Sequence, residues 1–233
     1  MAAVRWGKHE FTWLQVLTHV GAWAPFIWLV YDYVTDNLSF NPIQDITYRT
    51  GKPALVLLVL SLACTPLNSL FGFRAALKLR RPLGVYAFLY VVMHLLTFTV
   101  LDYVLDWNLI KEAIFEKRYA LVGFAAFLLL LPLFLTSTKA WQKRLGKRWK
   151  RLHKLVYLAA PLAVIHYIWL VKSDIRQPLA FGAVVALLLL FRVPAVKLRL
   201  RSAWTRLTAR RPGRPKPEAG ARGAVQAPVK LPD

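Results

Sequence analysis

The chain has 233 residues, of which 57% are hydrophobic, with a mean hydropathy of +0.42 and a formal net charge of +21. Unbroken apolar runs at 54–67 and 120–135 exclude an ordinary soluble domain of this length, whose core needs no segment long enough to cross a bilayer. The single cysteine, Cys64, excludes an internal disulfide and reads as a small packed hydrophobe.

In chain order, residues 1–10 form a short N-terminal tail, predicted to be cytoplasmic. Six apolar segments then follow, at about 11–33, 52–70, 83–105, 119–137, 152–171 and 178–194. A spanning helix needs roughly 20 mostly apolar residues. The first five meet that need, and the sixth is short. The first segment runs on too far for a cleavable signal peptide, and no small-residue cleavage site follows it. Between the first two segments, 34–51 reads as the longest loop, with Asn-Pro and Gly-Lys-Pro turn signals. The stretch 106–119 has the pattern of a short amphipathic helix lying on the membrane, and 139–151 is strongly basic. From Ser202 onward Pro, Gly, Ala and Arg dominate without an apolar period, which predicts a disordered basic cytoplasmic tail over 201–233. The expected architecture is therefore an all-α membrane protein: a six-helix bundle over 11–200 with both termini inside.

The charge distribution carries the orientation. With the N-terminus inside, only Arg49, Lys52, Lys111, Lys117, Arg118, Lys172 and Arg176 of the 32 lysines and arginines fall on the outer side. That asymmetry is the positive-inside pattern, so the basic charge is topological, with contact to anionic lipid as a second use. Nucleic acid is not an expected partner. No GxGxxG and no phosphate-binding loop occurs, so the chain has no nucleotide module for taking hydride.

Chemistry rests on the five histidines: His9, His19, His94, His153 and His166. His9 lies before the first span and reads as solvated. The other four lie in or at the edge of membrane segments, where ionisable residues are functional candidates. His94 and His166 fall at similar depth in different spans. His153 is thirteen residues before His166, about 20 Å along a helix, so one metal ion cannot take both. His19 has two readings, a ligand or a side chain that hydrogen-bonds across the bundle. His153 has two as well, a cofactor ligand or an interfacial side chain at the lipid headgroups. Imidazole suits haem iron, zinc and copper, but zinc normally takes three or four protein ligands. The sequence places no carboxylate within the apolar segments. Haem b asks for two axial imidazoles and a flat apolar slot, which Phe88, Phe98, Tyr167 and Trp169 would line. CxxCH is absent, so the haem would not be c-type. Propionates of a haem at His153 would meet Arg80, Arg81, Arg148 and Arg151 at the inner edge.

Four stretches carry a resemblance: "TWLQVLTHVGAWAPFIWLVY", "NPIQDITYRTGKPAL", "RRPLGVYAFLYVVMHLLTF" and "TSTKAWQKRLGKRWKRLHKLVYLAAPLAVIHYIWLVK". Together they resemble the ferric-reductase-like transmembrane family, and within it the haem-binding membrane subunits of bacterial systems that repair oxidised methionines. The likeness covers most of the chain up to about residue 200. It implies a multi-pass protein of the bacterial inner membrane, with b-type haem, one or two, held by His94, His153 and His166. It also implies FMN, with electrons from the quinone pool or a cytosolic flavin reductase. These would pass outward to a periplasmic molybdopterin methionine-sulfoxide reductase, which would hold the catalytic site. Two-haem relatives carry two histidines on each of two helices, whereas here Arg81 stands thirteen residues before His94, which leaves the haem count open. Two other functions remain compatible with the residues: a stand-alone ferric-chelate reductase, and a non-redox transporter with a histidine proton relay.

Overall fold

The computed structural model describes residues 3–6, 9–171 and 174–193. Two short strands, Ala3–Trp6 and His9–Thr12, pair antiparallel at the N-terminus, and every other regular element among the described residues is helical. The expected tail at 201–233 lies outside the described residues.

Helix α1 spans Trp13–Val34 and α2 spans Pro42–Phe71. Helix α3, Ala75–Leu96, continues as a π-helical segment over Thr97–Asp102. Then come α4 (Trp107–Glu116) and α5 (Arg118–Leu135). The basic stretch after α5 folds into two short helices, α6 (Lys139–Leu145) and α7 (Lys147–Leu152). A tight turn at His153–Leu155 leads into α8 (Val156–Leu170), and α9 is Arg176–Leu190. Five segments are long and apolar enough to cross a membrane: Trp13–Val34, Pro42–Phe71, Ala75–Asp102, Arg118–Leu135 and Lys147–Leu170. The sixth apolar helix, α9, has 15 residues and falls short of that length.

Helix α2 begins ten residues before the expected start at 52, which shortens the connection between the first two helices to 35–41. Asn41 accepts a hydrogen bond from the Gln44 amide at 3.2 Å, Pro42 sits where a missing N–H costs nothing, and Asp45 complements the first turn. These start signals outweigh the Gly51-Lys52-Pro53 turn signal, which lies inside the helix. Asp45 ties the new first turns together by accepting from Arg49 at 2.9 Å. Arg49 also bonds Asp32, a buried carboxylate near the end of α1. Carboxylates thus do lie within the long helices, contrary to the reading of the apolar segments.

The core is two antiparallel helix pairs, α2 with α3 and α5 with α8, with α1 against the first and α9 against α8. Small side chains at the centre, Ala159 and Ala160 with no exposed surface, let α8 approach its neighbours closely. Trp13, Trp28, Trp107 and Trp169 stand exposed on the outside. Prolines within membrane helices free carbonyls that hydrocarbon cannot satisfy. Pro66 leaves the Leu62 carbonyl without its helical donor, and Arg192, just beyond α9, supplies one through Nη2 at 2.7 Å. The same guanidinium bonds the Tyr157 hydroxyl on α8, so one half-buried cation ties α2, α8 and the end of α9.

Candidate functional site

Four helices converge on a cavity of about 250 Å³ lined by residues of α2, α3, α5 and α8. His94 from α3 and His166 from α8 face each other across it, with ring centroids 6.0 Å apart and ring planes at 85°. The spacing is informative. Two imidazoles on opposite sides of one metal ion, each bonded at about 2 Å with its ring centre about 1 Å further, have centroids roughly 6 Å apart.

Hydrogen bonds set the tautomers. The His94 Nδ1 lies 3.1 Å from the Thr47 carbonyl, and the His166 Nδ1 lies 2.7 Å from the Tyr119 carbonyl. A carbonyl can only accept, so each Nδ1 carries the proton and each Nε2 presents a lone pair. This is the outer support that ligating imidazoles normally have. Thr50 Oγ1 reinforces it at 3.4 Å from the His94 Nδ1.

The same local device holds both rings. Thr47 stands one turn before Gly51 on α2, and Tyr119 one turn before Gly123 on α5. A Cβ on Gly51 would lie 3.1 Å from the His94 ring, and one on Gly123 would lie 2.6 Å from the His166 Nδ1. Each imidazole therefore rests on a bare stretch of helix backbone and bonds the carbonyl one turn earlier. Sequence reasoning missed these four residues. The available signal was glycine inside an apolar helix, which lowers helix stability by about 1 kcal/mol relative to alanine and so points to close approach.

Below the histidine pair, Leu58 and Leu130 separate this cavity from a second one of about 260 Å³. Phenylalanines pack through the partition: Phe127 of the first cavity stacks on Phe88 of the second at 5.8 Å, and Phe88 stacks on Phe134 at 4.5 Å. His153, Arg80 and Arg81 line the second cavity, with Trp149 and Gln142 beside them. His153 stacks on Trp149 at 4.0 Å, and its Nε2 lies 3.2 Å from Thr136 Oγ1. That hydroxyl spends its proton on the Pro132 carbonyl at 2.6 Å, so it accepts from His153. The His153 Nε2 is thus protonated, and its free lone pair is on Nδ1.

The remaining expected residues sort differently. Arg148 and Arg151 are exposed and line neither cavity. Phe98 and Tyr167 line the first cavity and Phe88 the second, whereas Trp169 points outward, 49% exposed. His19 lies apart, with its Nδ1 2.8 Å from the Tyr86 hydroxyl. Among the described residues no group of three or more His, Cys, Asp or Glu side chains converges on one point, so the histidine pair lacks the ligand number of a zinc site.

Comparison with known proteins places the chain in a family. The profile of a family described as "Ferric reductase like transmembrane component" matches residues 50–164, a range that contains His94 and His153 and ends just before His166. The protein-methionine-sulfoxide reductase heme-binding subunit MsrQ of Xanthomonas axonopodis pv. citri (strain 306) is 43% identical over 202 residues, covering 84% of this chain and 88% of that protein. The chain belongs to the MsrQ family. The MsrQ protein of Xanthomonas campestris pv. campestris (strain 8004) is 45% identical over 203 residues, covering 84% of this chain and 88% of its own length. That of Rhodospirillum rubrum is 43% identical over 187 residues, covering 79% of this chain and 90% of its own. No solved structure matches the chain. Five membrane-length apolar helices and membership of a transmembrane family make this MsrQ-family chain a multi-pass membrane protein.

Proposed function

We propose that this chain is the haem b-binding electron-transfer subunit of a methionine-sulfoxide repair system. The observation that carries the reading is the His94–His166 pair: 6.0 Å between rings, both Nδ1 atoms committed to backbone carbonyls, both rings seated on glycine. The residues fit a haem. Two imidazoles present Nε2 lone pairs across an apolar slot, and among the described residues no third ligand converges there to suggest zinc. Haem b supplies one-electron carriage when bound. The chain's part would be to hold the haem between the His94 and His166 imidazoles and to surround it with Leu55, Leu95, Phe124 and similar side chains that exclude water.

The bundle carries six membrane elements with both termini inside the bacterial inner membrane, α9 being a short sixth span. The second cavity then lies toward the cytoplasm. Arg80 and Arg81 give it the charge to hold an anionic redox group such as FMN, and Phe88, Phe134 and Trp149 give it flat apolar walls. Electrons enter there from the quinone pool or a cytosolic flavin reductase. They leave on the opposite face to a periplasmic molybdopterin methionine-sulfoxide reductase; the relatives' printed name calls them heme-binding subunits of a protein-methionine-sulfoxide reductase and says no more of that partner. A His153-ligated second haem finds less support, because Arg81 stands where a facing imidazole is needed and the Nε2 of His153 is engaged with Thr136.

The test is haem and flavin quantified per chain on detergent-purified protein, with His94→Ala and His166→Ala beside it. A low-spin haem that both variants lose is the expected result. A colourless full-length protein sinks the redox reading and favours a transporter. Full haem in His94→Ala with an unchanged spectrum refutes the pairing.

A further inference from the structure

The rim of the His94–His166 cavity is polarised in a way that the histidines do not explain. Its polar lining residues, Thr47, Tyr48, Lys52, Asp102, Tyr119 and Tyr167, come from the same end of the bundle: the start of α2, the end of the π-helical segment, the start of α5 and the end of α8. The far end of the cavity, at Leu58 and Leu130, is apolar. Two of the rim residues are charged and of opposite sign, Lys52 on α2 and Asp102 after α3.

The two cations on this part of α2 differ in how they are used. Arg49 is committed to Asp32 and Asp45. Lys52 has no carboxylate partner among the described residues, and its Nζ makes only a long bond of 3.4 Å to the Gln177 side-chain oxygen. That same oxygen receives the Tyr167 hydroxyl at 3.4 Å, so Lys52 is steered over the cavity mouth between α2, α8 and α9 by a neutral acceptor. A lysine held this way keeps its charge available for an anionic group in the cavity.

We propose that Lys52 is the counter-charge for the carboxylate edge of the group held between His94 and His166. On this view Asp102 repels that edge, and the group is oriented with its carboxylates toward α2 and α9. The inference rests on the haem reading above, in which those carboxylates are the propionates. Lys52 is a positioning residue: it touches the edge of the group and leaves the iron to the histidines.

The sign of the effect on reduction follows from charge. A cation near the iron favours the reduced, less positive state, and an anion favours the oxidised one. Redox titration of the full-length purified protein is the assay, with haem per chain measured on the same samples. Lys52→Gln should lower the midpoint potential, so that at a fixed ambient potential the reduced-to-oxidised ratio falls severalfold. Lys52→Arg should restore it, and Asp102→Asn should shift it upward. Lowered haem content in Lys52→Gln that Lys52→Arg repairs also supports the assignment. A Lys52→Gln protein with wild-type potential and wild-type haem content overturns it, as does a shift of the same sign in Lys52→Gln and Asp102→Asn. The two levels separate cleanly. Wild-type protein without haem, or haem that survives both histidine substitutions, sinks the haem reading itself, whereas haem that needs both histidines but ignores Lys52 sinks only this inference.

Discussion

Replacing Gly123 by alanine tests the site at its tightest point. The new Cβ would lie 2.6 Å from the His166 Nδ1, 2.9 Å from Cε1 and 3.1 Å from Cγ. Ordinary contact between such atoms needs about 3.5 Å, so the ring must retreat by roughly 1 Å. Retreat breaks the 2.7 Å bond to the Tyr119 carbonyl, which contributes about 1 kcal/mol, and overpacking adds about 1–3 kcal/mol. Alanine is favoured over glycine inside a helix by about 1 kcal/mol, so the helix itself gains and the penalty is confined to the histidine. A displacement of roughly 1 Å is half the length of a metal–imidazole bond, enough to break such a bond at His166 if the proposed haem is held there. Gly51→Ala is the graded companion, because its Cβ meets the His94 ring at 3.1 Å and a few tenths of an ångström relieve it. Gly21→Ala is the control, with nothing within 4 Å. The assay is low-spin haem absorbance per folded chain, with thermal melting in detergent as the check on folding. The expected order of haem loss is Gly123→Ala, then Gly51→Ala, then Gly21→Ala with none. A folded Gly123→Ala protein with wild-type haem and an unchanged low-spin spectrum refutes the cradle argument.

Two further outcomes are expected. Arg192→Met should destabilise the bundle by about 1–3 kcal/mol, because the Leu62 carbonyl loses its donor, and Pro66→Ala should reduce that loss by restoring a helical N–H; equal costs in both backgrounds, read from melting in detergent, refute the pairing. His153→Ala should slow haem reduction from the inner side while leaving the His94–His166 spectrum intact, and loss of all haem in that variant contradicts the separation of the two cavities.

Composition and hydropathy were enough for a multi-helix membrane protein, because hydrocarbon tolerates only long apolar segments with internally satisfied backbones. His94 and His166 were legible as candidates because ionisable side chains are rare at membrane depth. Their depth was readable from span boundaries, but their facing was not. Helical rotation across the Pro161 break is not set by local spacing, and the meeting of α3 with α8 depends on how α2 and α5 pack between them. The start of α2 was misread because Gly51-Lys52-Pro53 has turn chemistry, yet the cap at Asn41 and packing against α3 carry the helix through it. Arg148 and Arg151 looked equivalent to Arg80 and Arg81 by position, and only the fold decided which pair lines the second cavity: both arginines of α3 reach it, whereas neither arginine of α7 does. The glycine cradles are the clearest case of tertiary information. Gly51 and Gly123 matter for what a neighbouring helix places against them, and that neighbour, His94 or His166, is more than 40 residues away in each case.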